Sequence, residues 1–229
     1  MSFDRIAPHY QWIERLCAGA ELDLCRAAFL DALNHPRRVL IVGEGDGRFL
    51  EKMLRRYPEV EVTCVDASNK MLRLTEERLI RAGLDASRVT FVHADVLEWS
   101  PPTEKYDGIV THFFLDCFPP DQLAIVTHRL ATAARPGARW LVSDFHVPAA
   151  GMRRWRARAI IASLYLFFRI TARLGTRCLT PPDAHLTRSG FSLRERRVRE
   201  WGLLHTDVWE LPSETFQSSS PNPINLLPI

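Results

Sequence analysis

A short apolar run, Val39-Leu40-Ile41-Val42, breaks into Gly43-Glu44-Gly45-Asp46-Gly47 and continues at once into a segment with helical spacing (Phe49, Leu50, Met53, Leu54, Tyr57). This junction constrains the chain more than anything else in it. Glycines at alternate positions let a backbone approach a ligand with no Cβ in the way. A strand that ends there and passes into a helix is the first half of a crossover unit, which a parallel sheet requires.

The same alternation repeats. Val60 to Val65 reads as a second strand ending at Asp66; Ser68 can cap the following helix (Met71, Leu72, Leu79, Ile80), which Gly83 ends. Val89 to His93 is a third strand running to Asp95, and Gly108 to Thr111 a fourth. Pro119-Pro120-Asp121 opens a helix closed by Pro136-Gly137, and Trp140 to Ser143 is a fifth strand. Leu193 to Arg199 and Thr206 to Leu211 can supply two more. The pattern predicts one α/β sandwich with helices on both faces of a parallel sheet, preceded by about 35 helical residues. With 229 residues, 46% of them apolar, the chain can bury one such core.

In open parallel sheets ligands bind beyond the carboxyl ends of the strands. The nicotinamide fingerprint G-x-G-x-x-G needs glycine where Arg48 stands, and the loop acids Glu44 and Asp46 would face a pyrophosphate poorly. A ligand with an amino acid portion suits the loop better. Asp66, about twenty residues on, is placed to accept from both ribose hydroxyls, and Asp95 from an exocyclic amine. Each acid alone reads equally as a turn or cap residue; three signals at three successive strand ends do not.

With these residues in view, the chain resembles the class I S-adenosylmethionine-dependent methyltransferases over roughly residues 36–146. VLIVGEGDG, VTCVDASNKML and FVHADVLEW carry the first three motifs; YDGIVTHFFLDCF and LATAARPGARWLVSDF fall at the fourth and fifth strands. The resemblance implies a doubly wound, mostly parallel seven-stranded sheet with a reversed last strand, the Rossmann-like methyltransferase fold. By the same resemblance Gly43, Gly45 and Gly47 approach the methionine part and Asp66 holds the ribose. Ala67, Met71, Asp95 and Val96 surround the adenine, and Thr111 is a further cofactor-binding residue. Glu44 fills a usually small position while Ile41 stands where the family commonly has an acid, so Glu44 would take over the cofactor's ammonium. Phe3-Asp4-Arg5-Ile6-Ala7-Pro8-His9-Tyr10 is similar to the opening of quinone C-methyltransferases, which makes Tyr10 a cofactor contact; Gln11 replaces the acid usual there.

The organisation expected is a single methyltransferase domain over 1–211: N-terminal helices over 1–35, a cofactor-binding core over 36–146, and lid helices over 151–190. A flexible tail follows over 212–229. Thr111-His112-Phe113-Phe114 is not the N-P-P-Y that grips planar amino groups, and Cys117 lacks a preceding proline, so DNA bases are disfavoured acceptors. A small, partly apolar acceptor such as a quinone, phenol or lipid-like molecule is expected. His112 and Asp116 are the candidates for proton transfer, each with a bland alternative as strand-end hydrogen bonder or turn cap. Two other readings remain open: a non-catalytic protein that binds an adenosyl ligand, and a dinucleotide-dependent oxidoreductase.

Five cysteines without a C-x-x-C pair argue against a disulfide framework and a zinc cluster; no metal is expected. Residues 151–200 hold twelve arginines against three acids, although the whole chain carries only +3. Residues 153–174 fit a helix with Ile160, Ile161, Leu164, Phe167, Phe168 and Leu174 on one side and Arg154, Arg158, Arg169 and Arg173 on the other. That suggests a lid with peripheral contact to anionic membrane, or simply a core helix with a solvated basic face. The arginines lack interleaved aromatics, which disfavours nucleic acid. Ala159 to Phe168 is about half the roughly 20 apolar residues a spanning helix needs, and the N-terminus shows no leader pattern, so a cytoplasmic protein is expected.

Overall fold

Valine, leucine and isoleucine fill the first strand, β1 (Arg38–Val42), whose last four residues are buried whichever way they point. Only a strand covered on both faces tolerates such a run. In the computed structural model, which describes residues 19–172 and 179–213, β1 is an interior strand, third from one edge of a seven-stranded sheet. The other strands are β2 (Glu61–Asp66), β3 (Val89–His93), β4 (Tyr106–His112), β5 (Ala134–Phe145), β6 (Ser192–Arg199) and β7 (Leu204–Glu210). They stand in the order β3-β2-β1-β4-β5-β7-β6. The first five are mutually parallel, and β7 runs antiparallel to both β5 and β6. This is the doubly wound sheet with a reversed last strand.

Helices α1 (Gly19–Ala27), α2 (Arg48–Arg56) and α3 (Asn69–Arg81) precede β3, while α4 (Pro120–Ala133), α5 (Gly151–Ala172) and α6 (Asp183–Arg188) come later. On one face Phe49, Leu50 and Met53 of α2 and Leu79 of α3 meet Val39, Ile41 and Cys64 of the sheet. On the other, Leu123, Val126 and Leu130 of α4 with Leu186 of α6 meet Leu40, Val42, Ile109 and Trp140. A third, smaller cluster sits past the strand ends, where Ala157, Ile161 and Tyr165 of α5 pack on Leu22, Cys25, Leu203 and Leu204.

The local signals act as expected at Ser68, whose hydroxyl accepts from the Met71 N–H (3.2 Å), and at Gly83, which leaves α3 at φ +67°. One boundary differs. β5 begins at Ala134, before Pro136-Gly137, because Ala134 pairs with Tyr106 ahead of a register shift in β4. Phe167, Phe168, Arg169, Arg173 and Leu174 lie outside the side chains described, as do Tyr10 and most of the tail expected over 212–229. Among the described residues no helix is long and apolar enough to cross a membrane.

Strand order reverses at β1, whose neighbours β2 and β4 belong to opposite halves of the sheet. The crevice at the carboxyl end of β1 is therefore where such a sheet can take a ligand.

Candidate active site

All three loop glycines take the left-handed conformation: Gly43 at φ +71°, Gly45 at +76° and Gly47 at +84°. The Gly43 N–H donates to the Val65 carbonyl (2.9 Å), fastening the loop to β2. A Cβ on Gly43 would fall 2.3 Å from the Phe114 ring, and one on Gly47 2.9 Å from Thr75. Side chains are excluded there twice over, by torsion and by space. Thr75, on α3, also donates its hydroxyl to the Gly45 carbonyl (3.0 Å).

Neither loop acid faces outward. Glu44 turns back so that its Oε1 accepts from the N–H groups of Phe49 and Leu50 (both 2.9 Å), capping α2 in place of the usual serine or threonine. Burial pushes its carboxyl up to about 7, with the Leu50 N–H pulling the other way. Asp46 is buried between Arg48 (Nε, 3.0 Å) and Arg78 (2.9 Å), and Arg48 reaches on to Asp23 of α1 (3.0 Å). Burial alone would raise the Asp46 carboxyl, but Arg48 and then Arg78 overrule it and hold it low. The electrostatic objection to a pyrophosphate thus loses its basis, because both carboxylates point into the fold. Thr75 and Arg78 carry no signal near the loop in sequence; they arrive from 30 residues downstream.

The neighbouring strand ends are fixed by tight turns. Asp66 Oδ1 accepts from Ser68 N–H (2.8 Å) and Asp95 Oδ1 from Leu97 N–H (2.9 Å). The Ala94 N–H donates to the Asp66 carbonyl (3.1 Å), so the two loops run side by side. Ala67 is exposed, Met71 and Val96 are buried, and the His93 ring sits 3.1 Å from the Ala67 carbonyl. Gly43, Asp66 and Asp95 therefore occupy the ends of three adjacent strands. The Thr111 hydroxyl, by contrast, accepts from the Trp140 indole N–H (2.9 Å) inside the core.

Beyond β4 the chain turns through Phe113, an aromatic residue held at φ +54°. Such a conformation costs about 1–3 kcal/mol and persists only where surroundings enforce it. Here the Phe113 N–H donates to the Ser143 carbonyl (2.6 Å), and the Arg26 guanidinium lies 5.1 Å from the ring. His112 is buried edge-on against Phe49, with ring centroids 4.6 Å apart. Neither of its nitrogens has a hydrogen-bond partner among the described residues, and burial, then Arg26, pushes it down to about 3.

Asp116 follows in a tight turn, Leu115–Cys117, pinned by the Tyr165 hydroxyl, which donates to its carbonyl (3.0 Å). Its carboxyl meets that of Asp144 on β5, and both are buried. Burial pushes Asp116 up to about 6; burial and then Asp116 push Asp144 well above the usual carboxylate range. Behind them His205 stands opposite Asp144 in the β5–β7 register, with Nδ1 3.0 Å from Asp207 Oδ2. Arg196 of β6 donates to both Asp207 oxygens (2.7 and 2.6 Å) and to Asp183 (2.7 Å). Sequence reasoning misses Asp144, His205 and Asp207. The available signal is the run His205-Thr206-Asp207, polar residues in a strand otherwise apolar enough to be central.

A family described as a methyltransferase domain matches residues 39–137. The demethylmenaquinone methyltransferase of Deinococcus radiodurans is 34% identical over 155 residues, 66% of this chain and 61% of that protein. The ubiquinone/menaquinone biosynthesis C-methyltransferase of Syntrophotalea carbinolica is 30% identical over 165 residues, covering 69% of this chain and 68% of its own length. Among solved structures, an O-methyltransferase family protein from Burkholderia thailandensis superposes with a TM-score of 0.70 at 15% identity, over 91% of this chain and 60% of that one. A 1,6-didemethyltoxoflavin-N1-methyltransferase from the same organism, solved with 1,6-didemethyltoxoflavin and S-adenosylhomocysteine, gives 0.64 at 20% identity, over 92% and 86%. The match thus spans about three fifths of the Deinococcus relative and of the first Burkholderia structure.

Proposed function

The chain belongs to the class I S-adenosylmethionine-dependent methyltransferases, and on that premise we propose that it methylates a small, partly apolar acceptor: a quinone, a phenol or a lipid-like molecule. The observation that carries this reading is the set of three adjacent strand ends. They present a loop in which two glycines admit no side chain and two aspartates oriented by their own turns. That cradle fits a ligand with amino acid, ribose and adenine parts in line: the glycine loop for the first, Asp66 for the second, Asp95 with Met71 and Val96 for the third. Bound S-adenosylmethionine would supply an electrophilic methyl on a sulfonium. A dinucleotide oxidoreductase is disfavoured by Arg48 at the third fingerprint position and by a strand order that puts antiparallel β7 inside the sheet.

The protein's part is to align the acceptor and take its proton. Each methyl transferred to oxygen or carbon releases one proton from the acceptor, and Asp116 is the group suited to receive it. Buried with Asp144, it shares a single proton with that residue, because two adjacent buried carboxylates do not both ionise. Asp144 holds the proton and donates to the Asp116 carboxylate. His112 stays neutral and serves to hold a ligand by hydrogen bond. Phe113, Phe145 and Val147, half-buried beside this turn, give the apolar surroundings. The quinone methyltransferase names of the two relatives support that acceptor class.

Calorimetric titration with S-adenosylmethionine, S-adenosylhomocysteine and NAD tests the cofactor. Binding of the first two and not the third is expected; binding of NAD alone overturns the reading. Mass spectrometry of demethylated quinones and phenols incubated with protein and S-adenosylmethionine tests the acceptor. Cofactor binding with no product from any of them would favour the non-catalytic adenosyl-binding alternative.

A further inference from the structure

Helix α5 begins with six exposed residues, 151–156, before its buried seam of Ala157, Ile161 and Tyr165. At 100° per residue, Met152 and Trp155 fall on the side away from that seam. Met152 is 89% exposed and Trp155 72%. Beside them, the Glu200–Gly202 turn projects Trp201, 69% exposed. Its backbone is held in an unfavourable form: Glu200 at φ +47° and Trp201 at φ +59° are successive non-glycine residues in the left-handed region. The structure enforces this from α5. Arg156 donates to the Glu200 carbonyl (3.3 Å) and pairs with its carboxylate (3.4 Å), and the Arg153 guanidinium lies 5.7 Å from the Trp201 ring. Strain spent to keep an indole in water calls for a partner.

The charge around these knobs has one sign. Residues 151–172 contain no acid, and Arg153, Arg154, Arg156 and Arg158 are all exposed. Glu200, the acid of the turn, is already paired with Arg156.

We propose that this face docks on an anionic lipid bilayer, with Met152, Trp155 and Trp201 bedded at the boundary of head groups and acyl chains and Arg153, Arg156 and Arg158, which flank them, on lipid phosphates. Tryptophan, with an apolar body and one polar N–H, prefers that boundary, and arginine can lay its stem along apolar surface while its head stays with phosphate. The knobs are convex and protrude singly, so a fluid surface receives them without a complementary groove. Single-stranded RNA would stack on the two indoles but has nothing to offer Met152, the most exposed of the three. The face does not depend on which acceptor is methylated, and its binding is read without turnover.

The test is co-sedimentation of the full chain with vesicles of phosphatidylglycerol and phosphatidylcholine, against vesicles of phosphatidylcholine alone. Capture by the anionic vesicles at low salt is expected. Arg153→Gln with Arg158→Gln should weaken it by about 30-fold, from roughly 1 kcal/mol per basic residue. Trp155→Ala with Trp201→Ala should weaken capture that survives higher salt by at least about tenfold. Thermal unfolding shows that the variants are folded. Brominated lipid should quench the tryptophan emission of the unaltered protein, a readout that needs no variant. Protein left in the supernatant at low salt overturns the proposal. So does capture unchanged in both double variants, or quenching by an RNA oligonucleotide and not by lipid.

Discussion

Burial has opposite consequences for His112 and Asp116 as proton acceptors. It disfavours the charged form of each, so the imidazole, pushed down to about 3, is a feeble base, whereas the carboxylate, raised to about 6, is a better one near neutral pH. Asp116→Asn should therefore lower turnover by roughly 100-fold or more and abolish an acid limb of kcat/KM near pH 6. His112→Asn should keep that limb. Asp144→Asn is neutral and still a donor, like the protonated Asp144 it replaces, and should leave the limb near pH 6; Asp144→Ala removes the donor and should move it higher. A pH–rate series across the four variants reads this, and a limb that survives in Asp116→Asn places the base elsewhere. At the cofactor cradle, Asp66→Ala should cost about 1–3 kcal/mol of S-adenosylmethionine affinity in titration. Asp46→Ala should instead appear mainly in thermal unfolding, at about 2 kcal/mol, since Arg48 and Arg78 lose their shared partner at a partly exposed site. Equal affinity losses would mean that the ribose is held elsewhere.

Helix α2 starts without a capping side chain at Gly47 and uses Glu44 instead. This couples the first crossover to pH. With an ordinary value of 4.5 and about 7 in the fold, the Glu44 carboxyl binds a proton more tightly when folded. Its contribution to stability is full below 4.5, falls as the pH rises to about 7, and is flat above. Glu44→Gln keeps an acceptor for Phe49 and Leu50 and removes the titration. The variant should match the parent near pH 4.5 and melt higher at pH 8; equal melting at pH 8 would show that the carboxylate is accommodated at no cost. Elements of this kind also mark how far sequence can be read. The parallel strands and their helices follow from periodicity, and because each strand carries its chemistry at its own carboxyl end, Gly43, Asp66 and Asp95 are locally visible. Asp144, His205 and Asp207 are not, because a pairing register between β5 and β7, some 60 residues apart, brings them together. Asp46 looks like a solvated loop residue until α3 delivers Arg78. In α5 the period shows an apolar side, and Ile161 is on it, but nothing local shows that the first six residues overhang the core.

Across the whole molecule the arginines of residues 151–200 divide by task. Among the described side chains Arg153, Arg154, Arg156 and Arg158 of α5 face solvent, while those of edge strand β6 secure the sheet: Arg197 lies over Phe29 (4.3 Å), Arg199 pairs with Glu21 (2.8 Å), and Arg196 neutralises fully buried Asp207. Charged edges also discourage strand addition by other chains. Arg196→Met leaves the Asp207 carboxylate buried without its cation and should cost about 3–5 kcal/mol, or roughly 10 °C in melting temperature. Arg196→Met with Asp207→Asn should recover most of that loss; no recovery would mean that Arg196 acts through packing. The position of β7 reaches further, into how the protein is made. β7 lies between β5 and β6 but is translated after both, so a nascent chain that stops before Leu204 has β5 with an unpaired flank and β6 with no neighbour. Asp144, the Glu200–Gly202 turn and the β6 arginines all await the same seven residues. On the ribosome the sheet therefore closes in one late, long-range step, and until then an open strand edge is what chaperones, or other nascent chains, will meet.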